Sequence, residues 1–77
     1  MPTVLRIDGH RFFFFSNEGN EPKHIHVENA EAYAKFWLDP VELAHSGGFT
    51  SRQLTKLRKL VEEHLELFNN SWDEHFS

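Results

Sequence analysis

The stretch Arg6-Ile7-Asp8-Gly9-His10-Arg11-Phe12-Phe13-Phe14-Phe15 decides the fold. Asp-Gly is a strong two-residue turn signal, because a type I′ turn needs positive φ at both central positions and these residues tolerate it best. With Thr3-Val4-Leu5 ahead of it, the stretch reads as a β-hairpin whose register the turn sets. Ile7 is expected opposite His10, Leu5 opposite Phe12 and Thr3 opposite Phe14 on one face. Arg6/Arg11 and Val4/Phe13 then pair on the other, joined by Phe15. A half-exposed strand alternates apolar with polar, so four consecutive Phe require cover on both sides, a helix on one and something else on the other.

Beyond the hairpin, Ser16-Asn17-Glu18-Gly19-Asn20-Glu21-Pro22 is a polar, turn-forming loop, and Pro22 cannot donate to a sheet ladder. His24-Ile25-His26-Val27-Glu28 alternates as a strand, with Ile25 and Val27 on one face and His24, His26 and Glu28 on the other. After Asn29-Ala30, Glu31 to Leu38 places Ala32, Ala34, Phe36 and Leu38 on one face and Tyr33, Lys35 and Trp37 on the opposite one, which makes a second hairpin. Asp39-Pro40 breaks it, and Val41-Glu42-Leu43-Ala44-His45 reads either as a fifth strand or as a turn of helix before Ser46-Gly47-Gly48.

Thr50 followed by Gln53 is a capping-box signature and predicts a helix start. At about 100° per residue, Leu54, Leu57, Val61, Leu65, Phe68 and Trp72 fall on one face, and Arg52, Lys56, Lys59, Glu63 and Glu66 on the other. Leu60, His64 and Leu67 widen the apolar arc to one flank. Asn69-Asn70 is the expected point where the helix ends or bends, since both residues favour caps and turns. The chain, residues 1–77, therefore reads as a single α+β domain: an antiparallel sheet of four to five strands from two hairpins, with one long C-terminal helix packed on one face.

Composition narrows the function classes. The chain has no Cys among its 77 residues, so disulfides, thiolate zinc sites and cysteine nucleophiles are absent. A net charge of −4, from 8 Lys+Arg against 12 Asp+Glu, lacks the positive field of a nonspecific nucleic-acid binder. The longest apolar run is the four Phe, far below the ~20 residues of a spanning helix, and no secretory signal is visible. A cytoplasmic protein away from the membrane is expected. Dinucleotide, P-loop, zincin, EF-hand and nucleophile-elbow motifs do not occur.

His24 and His26 are the candidate catalytic or metal-ligating residues. Residues i and i+2 of a strand share a face about 6.5–7 Å apart, from which two imidazoles can converge on one ion. Catalytic zinc usually takes three protein ligands, the third here to come from Glu28, His10 or His45. The competing reading has both imidazoles hydrogen-bonded locally, with no cofactor at all. Arg52, Lys56 and Lys59 form a basic stripe on the first half of the helix, against the helix dipole. They read either as a binding site for an anionic partner, with nucleic acid only weakly supported, or as a solvated face with Lys59–Glu63 pairing. Leu60 and Leu67, the wide arc and the two-faced Phe strand point to a homodimer or a protein partner.

Taken together, Pro2 to Ile7, Phe12 to Ser16, Glu21-Pro22-Lys23-His24-Ile25-His26-Val27, Ala34-Lys35-Phe36-Trp37-Leu38, Gly48-Phe49 and Trp72-Asp73-Glu74-His75-Phe76 resemble the small bacterial family labelled domain of unknown function 4160. Lys23 stands where Pro is common in that family. The resemblance implies no activity and no catalytic residue. It implies a gene encoded beside another small protein, in the manner of a toxin–antitoxin-like or regulatory pair. The expected function is thus a small noncatalytic interaction or regulatory module. The alternative is a small metal- or His-dependent hydrolase or nuclease-type toxin using His24 and His26, with Lys35 or Arg11 stabilising a phosphate.

Overall fold

The first hairpin closes as its turn residues require: Asp8 has φ 51° and Gly9 φ 80°, both in the left-handed region. The computed structural model describes residues 3–76; Pro2, quoted above among the family-like residues, lies outside the described residues. Strand β1, Thr3–Ile7, pairs with β2, His10–Phe13. Ile7 lies opposite His10, Arg6 opposite Arg11 and Leu5 opposite Phe12, as the turn demands. At the far end the register slips, and Thr3 meets Phe13 rather than Phe14. Val4 is the extra residue of this bulge, so its expected pairing with Phe13 does not form. The second strand also stops at Phe13, because the chain bends to carry Phe14 into the core, where it is 1% exposed.

Strands β3 (His24–Asn29), β4 (Ala32–Leu38) and β5 (Val41–Gly47) complete a five-stranded antiparallel sheet of order β1-β2-β3-β4-β5. Residues 41–45 are thus strand. Between β4 and β5 the register shifts after Lys35, with Lys35 opposite His45 and Phe36 opposite Leu43. The β3–β4 turn holds Ala30 at φ 54°, a backbone region in which a β-carbon is strained.

Alternation sorts the sheet residues into two sets. Phe12, Ile25, Val27, Ala34, Phe36 and Leu38 are buried in one cluster with Leu57, Val61, Phe68 and Trp72 of the C-terminal segment. Phe12 stacks on Phe68 with ring centroids 5.4 Å apart. The other set includes Arg11, Phe13, His26, Glu28, Tyr33, Lys35 and Trp37. Phe13 is 6% exposed, so the cover required on its side comes from this chain itself: Phe15 and His26 pack on its ring and the Arg11 guanidinium lies 4.2 Å above it.

The capping box is formed. The Gln53 backbone N–H donates to Thr50 Oγ1 at 3.1 Å and the Thr50 N–H donates to Gln53 Oε1 at 2.8 Å. The helix it starts does not run to the end. Two helices follow, α1 (Ser51–Glu63) and α2 (Leu65–Phe76), and the interruption falls at His64 rather than at Asn69-Asn70. His64 ends α1 because its ring Nδ1–H donates to the Leu60 carbonyl at 2.9 Å, alongside its own backbone N–H at 3.1 Å. A side chain competing for an i−4 carbonyl bends a helix at that point. Asn69 and Asn70 lie inside α2.

Candidate functional site: a closed His-His-carboxylate cluster

The loop between β2 and β3 folds back on itself in two successive turns. The Glu18 N–H donates to the Phe15 carbonyl at 3.4 Å, and the Glu21 N–H to the Glu18 carbonyl at 3.0 Å. Ser16-Asn17 and Gly19-Asn20 occupy the inner positions, residue types that tolerate tight turns. Glu18 sits at the junction, where its Oε1 accepts the Phe15 N–H at 3.0 Å. The same carboxylate is thereby aimed at the start of β3.

His24 and His26 arrive from that strand. The Lys23 carbonyl accepts the Leu38 N–H at 3.0 Å and fastens the beginning of β3 to the end of β4. His24 is fully buried, with Trp72 and Trp37 edge-on at ring distances of 4.9 and 5.7 Å. Its Nδ1 lies 2.9 Å from the Pro22 carbonyl, which can only accept, so Nδ1 carries a proton. In the neutral ring Nε2 is then a lone pair. It lies 2.9 Å from Glu18 Oε1 without forming a hydrogen bond to it, and among the described residues Nε2 has no hydrogen-bond partner. His26 differs: its Nε2 is 3.0 Å from both Glu18 oxygens and donates to them. One ligand atom from each of Glu18, His24 and His26 falls within 4.8 Å of the other two.

The electrostatics follow from this geometry. Burial pushes the Glu18 carboxyl up, but hydrogen bonding, first of all from the Phe15 N–H and then from the His26 ring, holds the group below its ordinary value. Burial is the largest influence on His26 and lowers its pKa; Glu18 opposes that, while His24 and Lys35 reinforce it. A neutral His26 facing an ionised Glu18 is the resulting state.

The third member is therefore Glu18, not one of the three residues expected. Glu28 is held by Arg11 at 2.8 Å, His10 Nδ1 accepts from the Asn29 amide at 3.2 Å, and the His45 ring packs edge-on to Tyr33 at 5.8 Å. The turn pairs flanking Glu18 are the signal in the sequence that points to it. They reverse the chain twice within a few residues, and so bring a carboxylate back toward the strand that follows.

The other candidates lie elsewhere. Arg52, Lys56 and Lys59 are exposed on α1 and make no ion pair among the described residues. Instead of Lys59 with Glu63, it is Arg58 that approaches Glu62, at 3.9 Å, while its Nη2–H donates to the Val41 carbonyl at 3.0 Å. Leu60 packs against the core and, with Lys56, lines a hollow beside His10 and Asn29; Leu67 is 41% exposed on α2. Lys35 is engaged by Glu21 at 2.9 Å and Arg11 by Glu28.

The fold and this cluster define a small α+β protein with a closed two-histidine, one-carboxylate centre. The chain belongs to the family described as domain of unknown function (DUF4160), whose profile matches residues 9–73. No curated protein matches it, and no solved structure does. Among the described residues no helix is long and apolar enough to cross a membrane.

Proposed function

We propose that this protein is a noncatalytic interaction module of the cytoplasm that binds a second small protein, as one half of a gene pair of the regulatory or toxin–antitoxin-like kind. In this reading both helices lie across one face of the sheet, and the other face receives the partner. The observation that carries it is the make-up of that other face. Following the register, Arg6, Arg11, Glu28, Tyr33 and Gly47 form one row across the five strands, and Phe13, His26, Lys35 and His45 the next. Trp37 follows with Lys35 Nζ 4.6 Å above its ring, and Tyr33 is 48% exposed. Arg, Tyr and Trp are the residues that concentrate binding energy at protein interfaces. Both charge signs are present on the face, which suits a protein surface better than a run of phosphates.

The enzyme reading is supported less well by the same geometry. His24 is fully buried, the His26 and Glu18 side chains are 15% and 14% exposed, and the adjacent hollows are lined by other residues: Pro22, Trp37 and Glu42 on one side, Gly19, Trp72 and Phe76 on the other. Neither hollow is lined by the imidazoles, whereas a substrate site places its reactive groups in the wall of a cleft.

The test is co-expression of the tagged protein with the product of the neighbouring gene, followed by co-purification and sedimentation. A stable complex is expected, and Tyr33→Asp combined with Arg6→Glu is expected to abolish it while leaving the thermal midpoint of the free protein nearly unchanged. A complex that survives this double change removes the sheet face from the proposal. A homodimer disrupted by the same substitutions assigns the face to a second copy of this chain instead, and a monomer with no partner overturns the reading.

A further inference from the structure

We propose that Glu18, His24 and His26 form a binding site for a divalent transition metal of the zinc class, with a Glu18 carboxylate oxygen and the two Nε2 atoms as its ligands. This stands apart from the partner reading: it needs only the cluster, and either can fail alone.

The decisive observation is the unpartnered Nε2 of His24. The ring is fully buried and its Nδ1–H is already committed to the Pro22 carbonyl. In the neutral ring, what remains is a lone pair in the interior, 2.9 Å from a carboxylate oxygen that is itself only an acceptor. Two acceptor atoms this close with neither a hydrogen nor a cation between them make an unfavourable contact, and a buried polar atom is left unmatched. A metal ion resolves it by taking both lone pairs. The second shell is also in place, because a ligating histidine commonly donates its other ring N–H to a backbone carbonyl, which is what the bond to Pro22 does.

Two of the three ligand separations fit with little movement, and the third, between the imidazoles, is within 4.8 Å. Zinc bonds of about 2.0–2.1 Å in a tetrahedron put ligand atoms roughly 3.3 Å apart. Glu18 lies 2.9 and 3.0 Å from the two Nε2 atoms, so each separation has to open by roughly 0.3–0.4 Å. His26 must turn its lone pair inward by moving its ring proton from Nε2 to Nδ1, and burial already favours the neutral ring. Two imidazoles and one carboxylate suit zinc, cobalt, nickel or copper better than magnesium or calcium, which prefer oxygen. The slight exposure of Glu18 and His26 leaves room for water as a fourth ligand. Coordination would tie the Glu18 loop to β3, an inward contribution from a bound ion that chains of this size commonly use.

The test uses the whole chain, stripped with chelator and titrated with zinc and, separately, cobalt. One ion per chain is expected, with a raised thermal midpoint, and cobalt is expected to give the visible absorption of a four-coordinate N/O site. Magnesium should change nothing. Glu18→Gln and His26→Gln should each weaken zinc binding at least tenfold, with circular dichroism reporting a folded chain; both residues reach the surface, so they can be changed where the buried His24 cannot be changed safely. His45→Gln and His75→Gln should leave affinity unaltered. An unshifted midpoint with no stoichiometric binding overturns the proposal. So does binding that survives Glu18→Gln and His26→Gln, or that disappears with His45→Gln or His75→Gln.

Discussion

Gly19 lies flat against Phe76: a β-carbon on Gly19 would come within 2.6 Å of the ring's Cδ1. The loop that presents Glu18 is therefore backed by the last turn of α2, and Phe76 in turn packs on Trp72 with ring centroids 4.3 Å apart. Gly19→Val is expected to lower stability by about 1–3 kcal/mol, the usual cost of forcing atoms into an occupied space. Urea unfolding measures it, with the neighbouring exposed Asn20→Ala as a control that should stay within about 0.5 kcal/mol. Equal midpoints for the two variants would mean that Phe76 swings aside and that the loop does not depend on α2.

Phe12 and Phe68 join sheet and helix at the centre of the core. Phe12→Ala is expected to cost about 3–5 kcal/mol. A chain of this length has roughly 4–11 kcal/mol in all, so this variant should unfold at a markedly lower temperature by circular dichroism. Phe15→Ala removes a ring that is 41% exposed and should cost about 1 kcal/mol or less. Similar losses from both would contradict the burial pattern.

Ala30 occupies the left-handed region at φ 54°. Non-glycine residues lose about 1–2 kcal/mol there, partly offset in glycine by the greater freedom of its unfolded chain. Ala30→Gly should therefore raise stability by about 0.5–1 kcal/mol, seen as a higher denaturant midpoint with an unchanged slope. A lower midpoint would show that the turn has another conformation.

The metal-free protein should lose stability in acid, in two stages. His26 has its pKa lowered from 6.5 in the folded state, so the unfolded chain takes up its proton first. Its contribution is complete above about pH 6.5 and falls away as pH drops through the lower folded value. Glu18 is lowered from 4.5, so its contribution is complete above that pH and is lost further down. Both therefore have the same sign. Thermal midpoints measured in chelator from pH 8 to pH 4 should decline below about pH 6.5, and His26→Gln should flatten the first part of the decline. A midpoint that rises on acidification would reverse the assignment of charge states.

Much of this architecture was legible from local signals. Asp8-Gly9 specified its turn because only a few residue types occupy positive φ cheaply, and that turn set the pairing of Leu5 with Phe12 three residues away. Thr50 and Gln53 marked the helix start because both partners of a capping box lie within one turn. The register slip at Thr3 was not legible, since a bulge answers to how the strand end packs, not to the turn. The break at His64 escaped for a similar reason. Asn69-Asn70 carries the stronger local preference for a helix end, but a single ring N–H to Leu60 decided the matter.

The sequence by itself determined that His24 and His26 share one side of a strand, because alternation is a property of any extended backbone. Only the tertiary structure decided what they face. Glu18 reaches them through two turns in a polar loop, and His24 is buried between Trp37 of β4 and Trp72 of α2, residues far from it in sequence. Periodicity reports which side of an element a residue occupies. Which residue from a distant segment meets it there depends on how the elements pack, and that is settled by burying Phe12, Phe14, Phe68 and Trp72 together rather than by any preference of the loop residues themselves.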